Sequence, residues 1–412
     1  MNALKKCYCR LFQKVMYVAC FFMPWRKPEL LQFENGVEGL PAFIEKLGIK
    51  KVLLVSDEYF KEHGLCDKLV EAFKNSKVEC VWYYKAIPNP TTTCVEAGYQ
   101  MYKENNCEAI VAFGGGSPMD CAKGIGARVA RPNRPINKMK GLLKVNRKLP
   151  LLFAIPTTAG TGSEATVAAV ITDDTVTPHE KCAMNDPHLI PAYAILDPKQ
   201  TEGLPSHMTS TTGLDALTHA VEAYIGSSNT AETKQMAKDA TKLIFENLEE
   251  AYNNPHNLVA RDNMQKAAYY AGIAFTRAYV GNVHAMAHKL GGFYNVPHGL
   301  ANAIILPMML REYGSTAHKK LAQLADVVGI TGANDAEKAD KFISAIEGMN
   351  ERMNIPSQIG VPGKSDRWTI KDEDIPALAK QAEAEANPLY PCPKLFTVEE
   401  FEALYKKLQY KA

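Results

Sequence analysis

The sequence lacks the marks of several protein classes. Its 412 residues contain no Cys-x-x-Cys pair, no internal repeat, no low-complexity stretch and a formal net charge of only +2. That near balance excludes a strong global attraction to nucleic acid or another polyanion. Cys66, Cys80, Cys94, Cys107, Cys121, Cys182 and Cys392 stand singly, and Cys7 and Cys9 are too close together to suggest a zinc site without partners. A chain of this length needs no disulfide staples, so reduced thiols in a cytosol are expected. No apolar run is long enough to span a bilayer.

What is present is ordinary in bulk. The 46% hydrophobic and 22% charged content is that of a soluble globular protein. The length exceeds what one core usually serves, so two domains are expected.

The first residues are unusual. Lys5, Lys6, Arg10 and Lys14 precede an apolar run from Val15 to Trp25. As a helix, this segment places Leu4, Tyr8, Leu11, Phe12, Val15, Ala19 and Phe22 on one stripe, with the basic residues mostly opposite. Its charged start and apolar middle resemble a signal peptide, and Val18-Ala19-Cys20 faintly resembles a lipoprotein cleavage site. Tyr17 fits that reading poorly, and only five apolar residues precede Cys20. Pro24 to Pro28 end the segment. Three readings stay open: a helix packed on the protein's own body, an interfacial membrane helix, or a docking helix for a protein partner.

From about residue 36 to 205, short apolar runs alternate with helical stretches. Lys51–Val55, Val78–Tyr84, Ala109–Phe113, Leu151–Ile155 and Ala194–Leu196 read as strands. The alternation predicts a parallel sheet with helices on its faces. Beyond Pro205, helix-like stretches dominate: Thr211–Tyr224, Thr230–Tyr252, Leu258–Tyr279 and Tyr313–Val328. The expected organisation is an apolar, amphipathic extension over 1–29, an α/β domain over 30–205 and an all-α domain over 206–412. Catalytic clefts commonly lie between two such halves.

The third strand runs into Gly114-Gly115-Gly116-Ser117-Pro118-Met119-Asp120. The glycines permit a sharp turn and close approach of a ligand to the backbone. Ser117 is expected as N-cap and Pro118 in the first helical turn. Exposed amides and a positive helix end would seat a pyrophosphate, the plainer reading being a glycine turn before a helix. The usual GxGxxG after the first strand is absent, so the sheet is a variant of the Rossmann design. Asp57, after an earlier strand, is placed to bind an adenosine ribose and to repel a 2′-phosphate, which favours NAD over NADP. Asp57 could equally cap the helix that follows. A second polar loop, Pro156–Glu164, interleaves Thr157, Thr158 and Thr161 with glycine, suited to a diphosphate or a nicotinamide amide.

The helical half carries the sharpest pattern. Asp215 and His219 lie four apart, as do His284 and His288, so each pair projects from one helix face. His298 follows in Asn295-Val296-Pro297-His298-Gly299, which suggests a tight bend. Buried imidazoles and carboxylates are costly unless paired. Three nitrogen donors and one carboxylate fit a divalent transition metal with a position left for substrate. The sequence does not choose between iron and zinc, because such a site generally binds zinc at least as tightly.

Together these motifs resemble the iron-containing (group III) alcohol dehydrogenase family over roughly residues 30 to 410. The carrying segments are Pro88–Thr91, the 114–120 turn, the 156–164 loop, the 213–224 helix and the run from Gly281 to Pro307. The resemblance implies a dehydroquinate synthase-like architecture, with Asp215, His219, His284 and His298 as metal ligands. It places His288 beside the nicotinamide and substrate as the catalytic residue, and the proton released from the alcohol would leave through solvent or His288. Asn89, Gly114, Gly115, Gly116, Ser117, Asp120, Thr157, Thr158 and Thr161 would contact the dinucleotide and Asp57 its ribose, with Lys181 and Leu196 also lining that site. It further implies Fe2+ (Zn2+ as the alternative), NAD more readily than NADP, a small alcohol or diol with its aldehyde or ketone, a cytoplasmic location and a homodimer. No nucleic-acid partner is expected. Residues 1–29 fall outside the family's common core and leave docking to a membrane surface or a protein open. Dehydroquinate synthase-like lyases and glycerol dehydrogenases share the scaffold. The Asp-x-x-x-His and His-x-x-x-His patterns, with the adjoining Gly291–Gly299 run, favour the alcohol dehydrogenases.

Overall fold

The computed structural model describes residues 1–412 except Pro24, Pro178 and Ala412. The chain divides into two units, one of residues 24–204 and one of residues 1–23 with 205–412.

Among its described residues the first unit has nine strands: β1 (Glu29–Leu31), β2 (Lys51–Asp57), β3 (Glu79–Ala86), β4 (Ala109–Gly114), β5 (Gly141–Leu142), β6 (Leu151–Pro156), β7 (Ala168–Asp173), β8 (Glu180–Asn185) and β9 (Tyr193–Ile195). Six of them form an all-parallel sheet in the order β1-β9-β6-β4-β2-β3. The central strands are apolar along their whole length because helices cover both faces. Alternation sends Leu53, Val55, Ile110, Ala112, Leu152 and Ala154 into one core, and Val52, Leu54, Val111, Phe113, Phe153 and Ile155 into the other.

Numbering helices along the whole chain, α1 spans Ala3–Phe21, and this unit holds α2 (Leu40–Lys46), α3 (Glu58–Glu62), α4 (Asp67–Lys74), α5 (Thr92–Glu104), α6 (Gly116–Ala130) and α7 (Lys199–Glu202). Residues of α5 and α6 fill the first core, and residues of α2 and α4 the second. The parallel sheet agrees with the sequence reading. A second, three-stranded sheet does not appear in that reading: β7 and β8 pair antiparallel and β5 joins β8.

The second unit is helical: α8 (Ser206–Ile225), α9 (Ala231–Asn253), α10 (Leu258–Ala278), α11 (Asn282–Tyr294), α12 (His298–Tyr313), α13 (Ser315–Val327), α14 (Asp335–Arg352), α15 (Ile375–Ala386) and α16 (Val398–Leu408). Helix α8 is buried along nearly all of its second half, from Gly213 to Ile225. A helix buried all round belongs in the middle of a bundle, and α9, α10 and α12 pack against it. Gly213 permits the closest approach, since a Cβ there would stand 2.3 Å from Leu248 Cδ1 on α9.

Helix α1 belongs to this helical unit. Asn2 caps it through a bond from the Lys5 amide at 2.8 Å. All ten cysteines are free thiols. Among the described residues no helix is long and apolar enough to cross a membrane.

Candidate metal centre and dinucleotide turn

Asp215 and His219 stand one turn apart on α8, His284 near the start of α11, and His298 at the start of α12. The expected tight bend falls at Asn295, whose φ of 56° is left-handed. Gly299 instead lies inside α12, where a Cβ would come 2.5 Å from the Thr211 carbonyl oxygen. That close approach holds α12 against α8 and brings His298 to Asp215.

One ligand atom from each of Asp215, His219, His284 and His298 lies within 4.8 Å of the others. Asp215 Oδ1 is 4.0 Å from His219 Nε2, 3.8 Å from His284 Nε2 and 3.5 Å from His298 Nε2. Metal–ligand bonds of about 2.1 Å set the edge of a tetrahedron at roughly 3.4 Å, so these separations suit a single cation with little adjustment. Asp215, His219 and His284 are buried while His298 is exposed, which leaves the group open on the His298 side.

A second observation supports the fit. Asn302, one turn beyond His298 on α12, directs its amide nitrogen at Asp215 Oδ1 (2.6 Å), His284 Nε2 (3.1 Å) and His298 Nε2 (3.1 Å). Three lone pairs thus converge on one electropositive group. The Oδ1 of the same amide is buried and has no partner. A donor set that gathers around a single amide N–H group is also one that would gather around a cation.

The ligands are held from behind. Glu222, two turns from Asp215 on α8, places Oε2 2.6 Å from His284 Nδ1. It also accepts the backbone N–H groups of Gly281 and Val283, both at 2.7 Å. Burial pushes the Glu222 carboxyl up to about 8, against the hydrogen bonds, which favour its ionised form. With His284 Nδ1–H donated to Glu222, the Nε2 lone pair faces the cluster. Burial, then the imidazoles of His219, His298 and His288, push the pKa of His284 well below its ordinary value. Its ring is therefore neutral and able to ligate. Phe275 stacks on His219 with ring centroids 4.1 Å apart and covers one side of it.

His288 lies beside the cluster, its ring stacked on that of His298 at 5.2 Å. Its Nδ1 is 2.6 Å from Glu385 Oε1. Glu385 also receives Tyr390 Oη–H at 2.9 Å and pairs with Lys289 at 2.5 Å. Burial raises the Glu385 pKa, but His288 and Lys289 outweigh it and hold the carboxyl down at about 2.

In the α/β unit, β4 and β6 are neighbours with Gly114 opposite Pro156, so the glycine turn and the threonine loop leave the sheet side by side at its carboxyl end. Ligands of open α/β sheets bind at that end. Gly114 has φ +146°, and a Cβ there would stand 2.6 Å from Pro118 Cγ, so the turn requires glycine. Cβ atoms at Gly115 and Gly116 would come 3.3 and 3.1 Å from the methyls of Thr158 and Thr161. Ser117 is not the cap the sequence predicts: α6 starts at Gly116 with Gly115 as N-cap, two residues earlier than a Ser117 cap requires. The chain can start the helix early because no side chain at 115 or 116 obstructs it.

Ser117 Oγ instead accepts the Asn89 N–H at 3.2 Å, and Asn89 Oδ1 receives Lys181 Nζ at 2.8 Å. Asp120 accepts Ser163 Oγ–H and the Val170 N–H, each at 3.0 Å. Thr157 is buried, its N–H donating to Gly114 O at 3.1 Å. Asp57 Oδ1 caps α3 through the Phe60 N–H at 3.1 Å, the role the sequence offered as its alternative. Leu196 follows β9 and is buried.

Five residues that matter here escaped the sequence reading: Glu222, Asn302, Glu385, Tyr390 and Lys123. Glu222 and Asn302 carry a signal, being polar residues on the ligand faces of α8 and α12 at helical spacing. Lys123 is fully buried in α6 and donates to Ser163 Oγ (3.0 Å), Thr166 Oγ1 (3.0 Å), Thr166 O (3.1 Å) and Ala168 O (2.8 Å). Burial lowers its pKa to about 8 against the charges of Asp120 and Glu164. It ties the helix of the glycine turn to the end of the threonine loop.

Residues 28–198 match the family described as iron-containing alcohol dehydrogenase, and residues 209–409 match the C-terminal part of the same family. The chain is similar to the NAD-dependent methanol dehydrogenase of Bacillus methanolicus, with 35% identity over 88% of this chain and 92% of the relative. It is 36% identical to the 1,3-propanediol dehydrogenase of Klebsiella pneumoniae over 90% of this chain and 95% of the relative. Among solved structures, the alcohol dehydrogenase from Oenococcus oeni superposes with a TM-score of 0.87 at 31% identity, covering 93% of this chain and 99% of that one.

Proposed function

The chain belongs to the iron-containing alcohol dehydrogenase family, and from that premise we propose that it interconverts a small primary alcohol or diol and its aldehyde or ketone, with NAD as the hydride carrier and Fe2+ (or Zn2+) held by Asp215, His219, His284 and His298. The observation that carries the reading is the convergence of three imidazole Nε2 atoms within 3.5–4.0 Å of one Asp215 oxygen. The full-length similarity to methanol and propanediol dehydrogenases supports the substrate class.

A divalent metal in this centre would supply Lewis acidity toward the substrate oxygen, and NAD would accept or return the hydride. The chain's own residues do the rest. Asp215 offsets part of the positive charge, and Glu222 fixes His284 with its lone pair inward. Phe275 shields His219 from water. Glu385 holds His288 by Nδ1, leaving Nε2 to take up or return the proton of the alcohol. The amides at the start of α6, with Thr157, Thr158 and Thr161, bind the pyrophosphate. Asp57 accepts from the ribose and disfavours a 2′-phosphate, and Lys181 and Asn89 line the same site. Asp120 contributes through Ser163 and the Val170 amide, which it fixes in place.

On this reading residues 30–205 carry the dinucleotide and residues 206–412 the metal. A cytoplasmic homodimer is the form we expect. The test is a spectrophotometric screen of short alcohols and diols with NAD and NADP after reconstitution with iron or zinc. Net NADH should accumulate with at least one of them. A dehydroquinate synthase-like lyase regenerates its cofactor in each turnover, so absence of net NADH with every alcohol and either metal would contradict the proposal.

A further inference from the structure

Helix α1 is seated with its apolar side outward. Cys9, Gln13 and Cys20 form its buried line. Gln13 Nε2 donates to Tyr390 O (2.8 Å) and Pro388 O (3.0 Å), and Arg10 donates to Cys392 O (2.8 Å) and Pro393 O (2.9 Å). Lys5 pairs with Glu383 at 2.6 Å. The helix is thus fixed to the 383–393 segment by polar contacts on a face whose buried line is Cys9, Gln13 and Cys20, with Phe12 and Met16 partly buried beside it.

The opposite face carries Leu4, Tyr8, Leu11, Val15, Val18 and Phe22, each between 55% and 83% exposed, with Phe21 alongside at 65%. Their spacing of four, three, four, three and four residues draws one straight stripe along the whole helix. Scattered surface apolar residues are normal, whereas six in line over five turns mark an interaction surface. The stripe also lies wholly before residue 28, where the family match begins.

Charge selects the occupant. The helix contains Lys5, Lys6, Arg10 and Lys14 and no Asp or Glu. Lys14 borders the stripe, and Lys6 lies farther round the helix beside a cleft of about 530 Å³ lined also by Lys394, one acid, Glu400, and Arg10, which is engaged with the 392 and 393 carbonyls. Two copies of α1 laid stripe to stripe would bring like charges together. A surface of anionic headgroups over an apolar interior would instead satisfy the stripe and its basic flank at once. We propose that α1 is an interfacial helix that docks this protein onto a bilayer surface containing anionic lipid, independently of the redox reading above.

The test is co-sedimentation of the full-length protein with vesicles of phosphatidylglycerol mixed with phosphatidylcholine, and with phosphatidylcholine alone. The protein should pellet with the mixed vesicles, and added salt should release it, because exposed charge attraction is screened. Leu11→Ser with Val18→Ser should lower partitioning at least roughly ten-fold while leaving enzyme activity and Tm unchanged, since both side chains are exposed in the free protein. Lys6→Gln with Lys14→Gln should cost about five-fold for each lysine and flatten the salt dependence. The proposal is overturned if wild-type protein stays in the supernatant with mixed vesicles. It is equally overturned if the serine variant binds them like wild type. A fall in the solution mass of the serine variant, measured by light scattering without lipid, would show that a second copy covers the stripe and would also overturn it.

Discussion

Glu222 Oε2 and His284 Nδ1 lie 2.6 Å apart, both fully buried, and the same carboxylate receives two amides from the start of α11. One side chain on α8 therefore sets the position of α11 and the orientation of a metal-site imidazole together. Replacing Glu222 by Gln puts an N–H where an acceptor is needed. Metal affinity should fall about 10- to 100-fold, the usual cost of losing such an outer partner. Chelator competition followed by metal analysis measures it, and unchanged affinity would show that His284 is oriented without Glu222.

Gly299 sets the approach of α12 to α8. Its missing Cβ would stand 2.5 Å from Thr211 O and 2.9 Å from Thr211 C, backbone atoms that cannot swing aside. Gly299→Ala should cost about 1–3 kcal/mol through overpacking. It should also spread His298 and Asn302 away from Asp215. Tm and metal content should fall together, and a variant with normal values of both would contradict this account of the close packing.

Lys123 joins α6 to the end of the threonine loop through four acceptors, three of them buried. Lys123→Met should lower stability by roughly 3–5 kcal/mol, because the acceptors and the nearby carboxylates lose their counter-charge. Protein that still folds should show a raised KM for NAD and unchanged metal content. A raised Tm, or loss of metal with normal NAD binding, would place the role of Lys123 elsewhere.

Glu164 sits in the same loop, 2% exposed, and burial pushes its carboxyl up to about 7, against its own backbone amide and Lys123. The folded state therefore holds this proton more tightly than the unfolded chain. The stabilising contribution is fully present below the unfolded carboxyl value and is lost as pH rises through about 7. At most roughly 3 kcal/mol is at stake. Between about pH 5 and pH 8, wild-type Tm should fall relative to Glu164→Gln. A constant difference across that range would show that Glu164 does not titrate there.

Much of this was legible because the relevant signals are local. Apolar runs bounded by turn residues located β2, β4, β6 and β9, since a doubly covered strand is largely apolar, and a β-branched and aromatic run located the edge strand β3. The i,i+4 spacing of Asp215 with His219 put two candidate ligands on one face of α8. The β7–β8 pair was hidden because polar residues, Thr172 and Asp173 on one strand and Glu180, Lys181 and Asn185 on the other, break the apolar signal. Ser117 was expected to cap α6, but the space left by the glycines let the helix begin earlier. In α1, periodicity identified the residues that share a stripe and could not say which side of the helix would face protein. The buried side proved to be the line of Cys9, Gln13 and Cys20. Glu385 reaches His288 from almost a hundred residues away, a distance over which no spacing rule operates.

The central claim is that Asp215, His219, His284 and His298 hold one divalent ion that the reaction needs. The most direct measurement is metal content and NAD-linked turnover on the same preparations of wild type, His219→Ala and His298→Ala. About one equivalent of iron or zinc should accompany activity in wild type, and both variants should lose metal and turnover together while keeping their fold by circular dichroism. Full turnover from a metal-depleted variant, or a full equivalent of metal retained by both, would contradict the account.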